Sequence, residues 1–228
     1  MPKPYYEHAG ITIYHGDARD LELEGLTVTD PPYNVGYGYD VHDDSLSDAE
    51  YRALLAGTLR VPAVVIHYPE PMFMVADALG APEKLVAWVY NANTPRQWRS
   101  VGWFGIKPDL GQDGQDYKNP TDRRIQQRIA NGERARLYDW WEIQQVKNVS
   151  DEKTEHPCQI PLELMRRILL VTPFDGPVID PFMGSGTTLR AAKDLGRSAI
   201  GVDVSERYCE LAANRLSQEI LVIGGGNG

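Results

Sequence analysis

Cysteine is scarce: Cys158 and Cys209 are the only two in a chain of 228 residues. Two thiols exclude a disulfide framework and leave no cysteine set for a structural zinc quartet, so no metal is expected. Long apolar runs are missing too. No stretch approaches the roughly 20 residues a membrane helix needs. The opening Met1-Pro2-Lys3-Pro4-Tyr5 lacks the charged-then-apolar layout of a signal peptide, so no membrane contact and a cytoplasmic location are expected. Positive charge is also short. Lys and Arg number 23 against 32 Asp and Glu, a net charge of −9, which argues against a uniformly basic nucleic-acid binder.

The shortage is uneven along the chain. Residues 92–150 hold ten Lys/Arg against seven Asp/Glu, together with four of the five tryptophans, Trp98, Trp103, Trp140 and Trp141. Arginine among large aromatics can grip phosphates and stack on bases. The same composition also fits a small subdomain with a tryptophan core and a solvated charged face, and composition alone leaves both open.

What is present reads as one α/β domain with a small insertion. Ile11–Tyr14 and Leu26–Thr29 are short β-like runs, and the second ends directly on Asp30-Pro31-Pro32 because proline cannot continue a central strand. Residues 35–44 read as a loop. Ser47-Asp48-Ala49-Glu50 forms a capping box that opens a helix to about Arg60. A strand at Ala63–His67, a helix at Pro71–Leu79 and a strand at Leu85–Tyr90 follow. Residues 91–119 show little periodicity, Asp122–Ala130 reads as a short basic helix, and Tyr138–Val146 as an aromatic helix or strand. Regular structure resumes with a helix from Pro161 and a strand at Val178–Ile179. A helix at Thr187–Leu195, a strand at Ser198–Val202 and a helix at Ser205–Gln218 complete the pattern. The expected divisions are 1–91, an insertion at 92–154, 155–223, and a disordered tail at 224–228.

Asp180-Pro181-Phe182-Met183-Gly184-Ser185-Gly186-Thr187-Thr188 is a glycine turn between strand and helix, where α/β folds hold nucleotide-like cofactors. Gly184 and Gly186 permit a tight turn and a close approach to a ligand. Asp203, at the end of the next strand, can accept hydrogen bonds from two ribose hydroxyls. The loop lacks the lysine of a P-loop and the third glycine of the dinucleotide fingerprint. Phe182 can stack on an adenine ring, so a phosphate-free adenosine ligand suits the loop better than NAD or ATP.

Thr29-Asp30-Pro31-Pro32-Tyr33-Asn34 is a stiff turn that offers a carboxylate, carbonyls and one aromatic ring. An exocyclic amine of a base is a poor nucleophile, because its lone pair is delocalised into the ring. Asp30 can accept one amine hydrogen and the Pro31 carbonyl the other, stabilising the charge that grows on nitrogen. Pro31 and Pro32 hold these acceptors in place, and Tyr33 gives a flipped base a face to stack on.

On these residues the chain resembles the DNA amino-methyltransferases that use S-adenosylmethionine, in the β arrangement, where the catalytic motif precedes the cofactor motif. Tyr14-His15-Gly16-Asp17 resembles the segment whose Asp contacts the cofactor adenine. His156-Pro157-Cys158-Gln159-Ile160-Pro161 resembles the segment near the cofactor's methionine end, which brings in His156 and Gln159; Cys158 and Ile160 stand where the family commonly has Thr and Lys. Asp180, Ser185, Thr187, Thr188 and Asp203 match its cofactor loop and ribose-binding acid. The Asp-Pro-Pro-Tyr-Asn form is more usual in adenine-N6 than in cytosine-N4 enzymes.

The resemblance implies a doubly wound, mostly parallel sheet, double-stranded DNA as substrate and a possible homodimer. It also assigns target recognition to the insertion, with Asn34, Arg96, Arg99, Arg123, Arg124 and Arg128 as the residues facing DNA. Cytosine N4, an RNA amine, and a non-catalytic binding or cofactor-sensing role stay open at this point.

Overall fold

The computed structural model describes residues 2–38, 41, 44–146, 154 and 158–217. A hairpin of β1 (Tyr6–His8) and β2 (Ile11–His15) opens the chain, followed by β3 (Leu26–Thr29). The capping box forms as the sequence predicts. Ser47 Oγ accepts from the Glu50 N–H, the Glu50 carboxylate accepts from the Ser47 N–H, and α1 (Asp48–Thr58) begins there. Next come β4 (Ala63–His67), α2 (Met72–Leu79), β5 (Lys84–Val89) and β6 (Trp98–Phe104). A small ribbon, β7 (Gly114–Gln115) with β8 (Ala135–Arg136), flanks α3 (Arg123–Ala130), and β9 (Trp140–Glu142) returns to the main sheet. The remainder alternates α4 (Leu162–Val171), β10 (Val178–Asp180), α5 (Thr187–Asp194), β11 (Ala199–Asp203) and α6 (Glu206–Ser217).

Among the described residues the main sheet runs β1-β2-β11-β10-β3-β4-β6-β5-β9. The five strands from β2 to β4 in that order are parallel neighbours, so β3, β10 and β11 all end on one edge. From the β10–β3 pair the chain winds outward in opposite directions. In an open sheet the crevice beside such a switch point is where ligands bind. β4 is buried along its whole length, with Val64 and Ile66 in one core layer and Ala63 and Val65 in the other. This is the pattern of a strand covered on both faces.

Part of the expected insertion belongs to the main sheet: β6 lies between β4 and β5, antiparallel to both, and β9 pairs with β5. Trp103 and Trp141 are 0% and 1% exposed, with ring centroids 6.0 Å apart, and they belong to the core rather than to a stacking surface. The sequence hides β6 because burial on both faces, together with Arg99, Ser100 and Gly102, removes the period-two alternation. The Tyr138–Val146 run resolves as strand, over Trp140–Glu142. The tail at 224–228 lies outside the described residues.

Candidate active site

Pro31 and Pro32 stop β3 where the sheet ends, which leaves Asp30 on the carboxyl edge. Its side chain is 16% exposed. The Tyr33 hydroxyl donates to one Asp30 oxygen, and Arg99 Nη1 donates to the same hydroxyl at 3.1 Å. The guanidinium lies 3.9 Å from the other Asp30 oxygen. It also lies over the rings of Tyr33, Tyr68, Trp88 and Tyr90, at 5.0, 5.5, 5.2 and 5.9 Å from their centroids. Burial raises the Asp30 carboxyl to about 7, while Arg99 and the Tyr33 hydroxyl pull it back and Asp180 adds to the rise.

The rest of the turn is held by the neighbouring elements. Tyr51, on α1, donates to the Pro32 carbonyl at 2.7 Å and sits 2.6 Å from His67 Nε2, while His67 Nδ1 lies 3.2 Å from the Tyr68 carbonyl. Burial lowers His67 to about 4, so its ring is neutral. Among the described residues none donates to the Pro31 carbonyl, which leaves it with the acceptor capacity the sequence reading asks of it.

Asn34 has a different job from the one expected. At φ +55° its side chain donates to the Leu46 carbonyl at 2.8 Å and accepts from the Leu46 N–H at 2.7 Å. Asp44 binds the N–H groups of Asn34, Val35 and Tyr37. Both polar ends of the Asn34 amide are thus spent on pinning the loop, not on facing DNA.

On the other side of Asp30 the β10–α5 turn forms a cradle. Asp203 accepts from the Gly184 N–H at 3.0 Å with one oxygen and from the Ser205 N–H at 2.9 Å with the other. Phe182 is half-buried at the rim. A cavity of about 370 Å³ is lined by Asp17, Arg19, Asp30, Phe182, Gly184, Asp203 and Tyr208. Arg19 grips Asp17 in a 2.5 Å ion pair, and that hydrogen bond, more than the charge alone, lowers the Asp17 carboxyl. A second cavity, of about 270 Å³, is lined by Pro31, Tyr33, Tyr68, Trp88 and Arg99. Asp30 and Cys158 line both.

The other residues expected to hold the cofactor line neighbouring cavities or brace the turn. Gln159 lines the aromatic cavity, and its carbonyl oxygen accepts from Thr154. Asp180 is buried and works as a strut: it accepts from Thr29 Oγ1 at 2.6 Å and from the Phe182 N–H at 3.1 Å, and burial raises it to about 6. Ser185, Thr187 and Thr188 lie beneath the turn on a minor cavity of about 30 Å³ that Asp30 and Asp180 also reach. Thr187 accepts from Arg215 there. Ile160 is buried in the core, so the position that commonly carries lysine offers no cation. His156 lies outside the described residues.

Gly186 packs closely against α6. It has φ +72°, and a Cβ there would sit 2.9 Å from the Ala212 Cβ of α6. Gly186→Ala should therefore cost about 1–3 kcal/mol, read as a lower denaturation midpoint in urea.

The arginines divide. Arg99 is buried in the aromatic cavity and is not a surface phosphate contact. Arg96 is exposed, its guanidinium 4.3 Å from the Tyr68 ring centroid. Arg123, Arg124 and Arg128 are exposed on α3, which buries none of its residues. Tyr51, His67, Tyr68, Trp88 and Tyr90 escaped the sequence reading. Tyr68 directly follows β4 and Tyr90 directly follows β5, and position at a strand's end was the signal that could have found them.

The family model of N6/N4 methyltransferases, described as DNA methylase, matches residues 63–214. The chain belongs to this family. This DNA amino-methyltransferase is 30% identical to the type II methyltransferase M.ScaI of Streptomyces caespitosus, over 96% of its own length and 85% of that protein's. It superposes on the solved M1.HpyAVI–S-adenosylmethionine complex with a TM-score of 0.55 at 25% identity, covering 90% of this chain and 99% of that one. On the cytosine-N4-specific PvuII DNA methyltransferase the TM-score is 0.67 at 19% identity, with 95% and 90% covered, a likeness of fold. The methyl donor is S-adenosylmethionine and the substrate is DNA, in a mostly parallel α/β fold of the expected kind. Among the described residues no helix is long and apolar enough to cross a membrane, and no three His, Cys, Asp or Glu side chains form a metal cluster.

Proposed function

We propose that this methyltransferase acts on the N6 amine of adenine, flipped out of a short duplex sequence. The observation that carries the reading is the shared wall: Asp30 faces the adenosine-sized cavity and the aromatic cavity at once. The Asp-Pro-Pro-Tyr-Asn form of the turn favours adenine over cytosine.

The residues present fit S-adenosylmethionine. Phe182 would cover its adenine, Asp203 and Asp17 would accept from the adenosine end, and Gly184 leaves room for close approach. When bound, it supplies a sulfonium-activated methyl group. The aromatic cavity offers the base the ring faces of Tyr33 and Tyr68, which pack tilted against each other with centroids 4.5 Å apart. Asp30 and the Pro31 carbonyl accept the two amine hydrogens. They let the nitrogen pyramidalise toward the methyl group and offset its growing charge.

Nucleoside analysis of digested DNA, after incubation with labelled S-adenosylmethionine, should show N6-methyladenine. N4-methylcytosine would overturn the choice of base, and labelled RNA in preference to duplex DNA the choice of nucleic acid. In the same reading α3 is a phosphate contact. Arg124→Glu with Arg128→Glu should weaken DNA binding about tenfold and reduce the salt slope by about two, with little change in rate at saturating DNA.

A further inference from the structure

We propose that Arg99 is the counter-ion of Asp30, a positioning residue that keeps the carboxylate charged and its oxygens aimed where the target amine arrives. The inference deepens the proposed function and rests on it. β6 runs against β4, with Ser100 paired to His67, so the start of β6 falls on the edge where the parallel strands end. That reversal delivers Arg99 to Asp30 from a strand that otherwise serves the core. Its Nη1 is shared between Tyr33 and Asp30, at 3.1 and 3.9 Å, while Nε is buried with no partner among the described residues. A guanidinium this deep with one donor unpaired is a poor choice for stability alone, because desolvating it outweighs what a hydrophobic residue of similar size would cost. Its place is accounted for if the charge is needed at Asp30.

The groups that face Asp30 bear this out. Tyr33 comes from its own turn, Tyr51 from α1, Tyr90 from the end of β5, and Asp180 from β10; Cys158 shares the cavity wall. His67 is neutral, and Arg99 is the cation among these described neighbours. Burial and Asp180 push the Asp30 carboxyl up, to about 7 even with Arg99 present. Without Arg99 it would rise further, and Asp30 would be protonated at neutral pH, with an O–H where an acceptor is required.

Single-turnover methyl transfer, from labelled S-adenosylmethionine to unmethylated phage DNA of mixed sequence, should be followed against pH. The wild-type rate should fall on the acid side with a midpoint near 7. Arg99→Met and Arg99→Gln should move that midpoint up by about one unit or more, costing about fivefold at pH 7 and recovering in alkali. Arg99→Lys should lie close to wild type. Equal loss at every pH would overturn the proposal, whereas a wild-type protein that methylates no DNA would overturn the functional reading beneath it.

A thermal double-mutant cycle reads the pair apart from activity. At alkaline pH, Arg99→Met should be strongly destabilised, and adding Asp30→Asn should restore much of the loss. A double variant no more stable than Arg99→Met would also overturn the proposal.

Discussion

Asp30→Ala should lower single-turnover methyl transfer by about 10³-fold while cofactor binding stays within a few-fold of wild type. Asp30 is in the wall common to both cavities, and the other acceptor, the Pro31 carbonyl, can hold only one amine hydrogen at a time in good geometry. Without the carboxylate the nitrogen keeps its lone pair in the ring, and its developing charge meets no counter-charge. The cradle of Phe182, Gly184 and Asp203 does not depend on Asp30, so calorimetric titration of S-adenosylmethionine should look normal. A variant that keeps a tenth of the wild-type rate would remove Asp30 from the mechanism.

Asp30→Asn separates chemistry from stability. The folded-state pKa, about 7, lies above the ordinary carboxyl value near 3.9. The fold therefore prefers the protonated acid: the associated stability is fully present below about pH 4 and is lost as pH rises through about 7. An amide escapes that loss. Asp30→Asn should be inactive, and at pH 8 its melting temperature should equal or exceed that of wild type. Above about pH 7 the site thus carries its carboxylate charged at the expense of the fold.

Trp103→Ala should cost about 3–5 kcal/mol and lower the melting temperature by roughly 10 °C. Trp103 is fully buried on β6 between β4 and β5, packs edge-on against Trp141, and its indole N–H donates to Thr172 Oγ1 at 2.9 Å. Truncation leaves a ring-sized void and removes the Thr172 hydroxyl's donor. Trp98→Ala, at an exposed ring on the same strand, should change stability by less than about 1 kcal/mol. Equal effects at the two positions would mean that Trp103 is not the core residue the sheet makes it.

That contrast marks where sequence reading worked and where it ran out. The capping box at Ser47, the stop at Pro31 and the turn at Gly184 are legible because each rests on neighbours a few residues apart. The same holds for Asp30 and Asp203 as strand-end acids. Trp98 and Trp103 look alike in composition, yet only their pairing with β4 and β5 decides which is exposed. The aromatic cavity draws on the ends of four strands, so Tyr68, Trp88, Tyr90 and Arg99 come together only through topology. Asn34 misled for the opposite reason: its partner Leu46 lies beyond a loop whose closure no local signal announces.

Helix α3 lends no side chain to either core layer. Surface substitutions on such an element change stability little, so its sequence is free to drift while Asp30 and the β10–α5 turn are held fixed by packing. In the proposed function, the grip on DNA and the chemistry can then change at separate rates: substitutions on one exposed helix alter phosphate contact without touching the reaction.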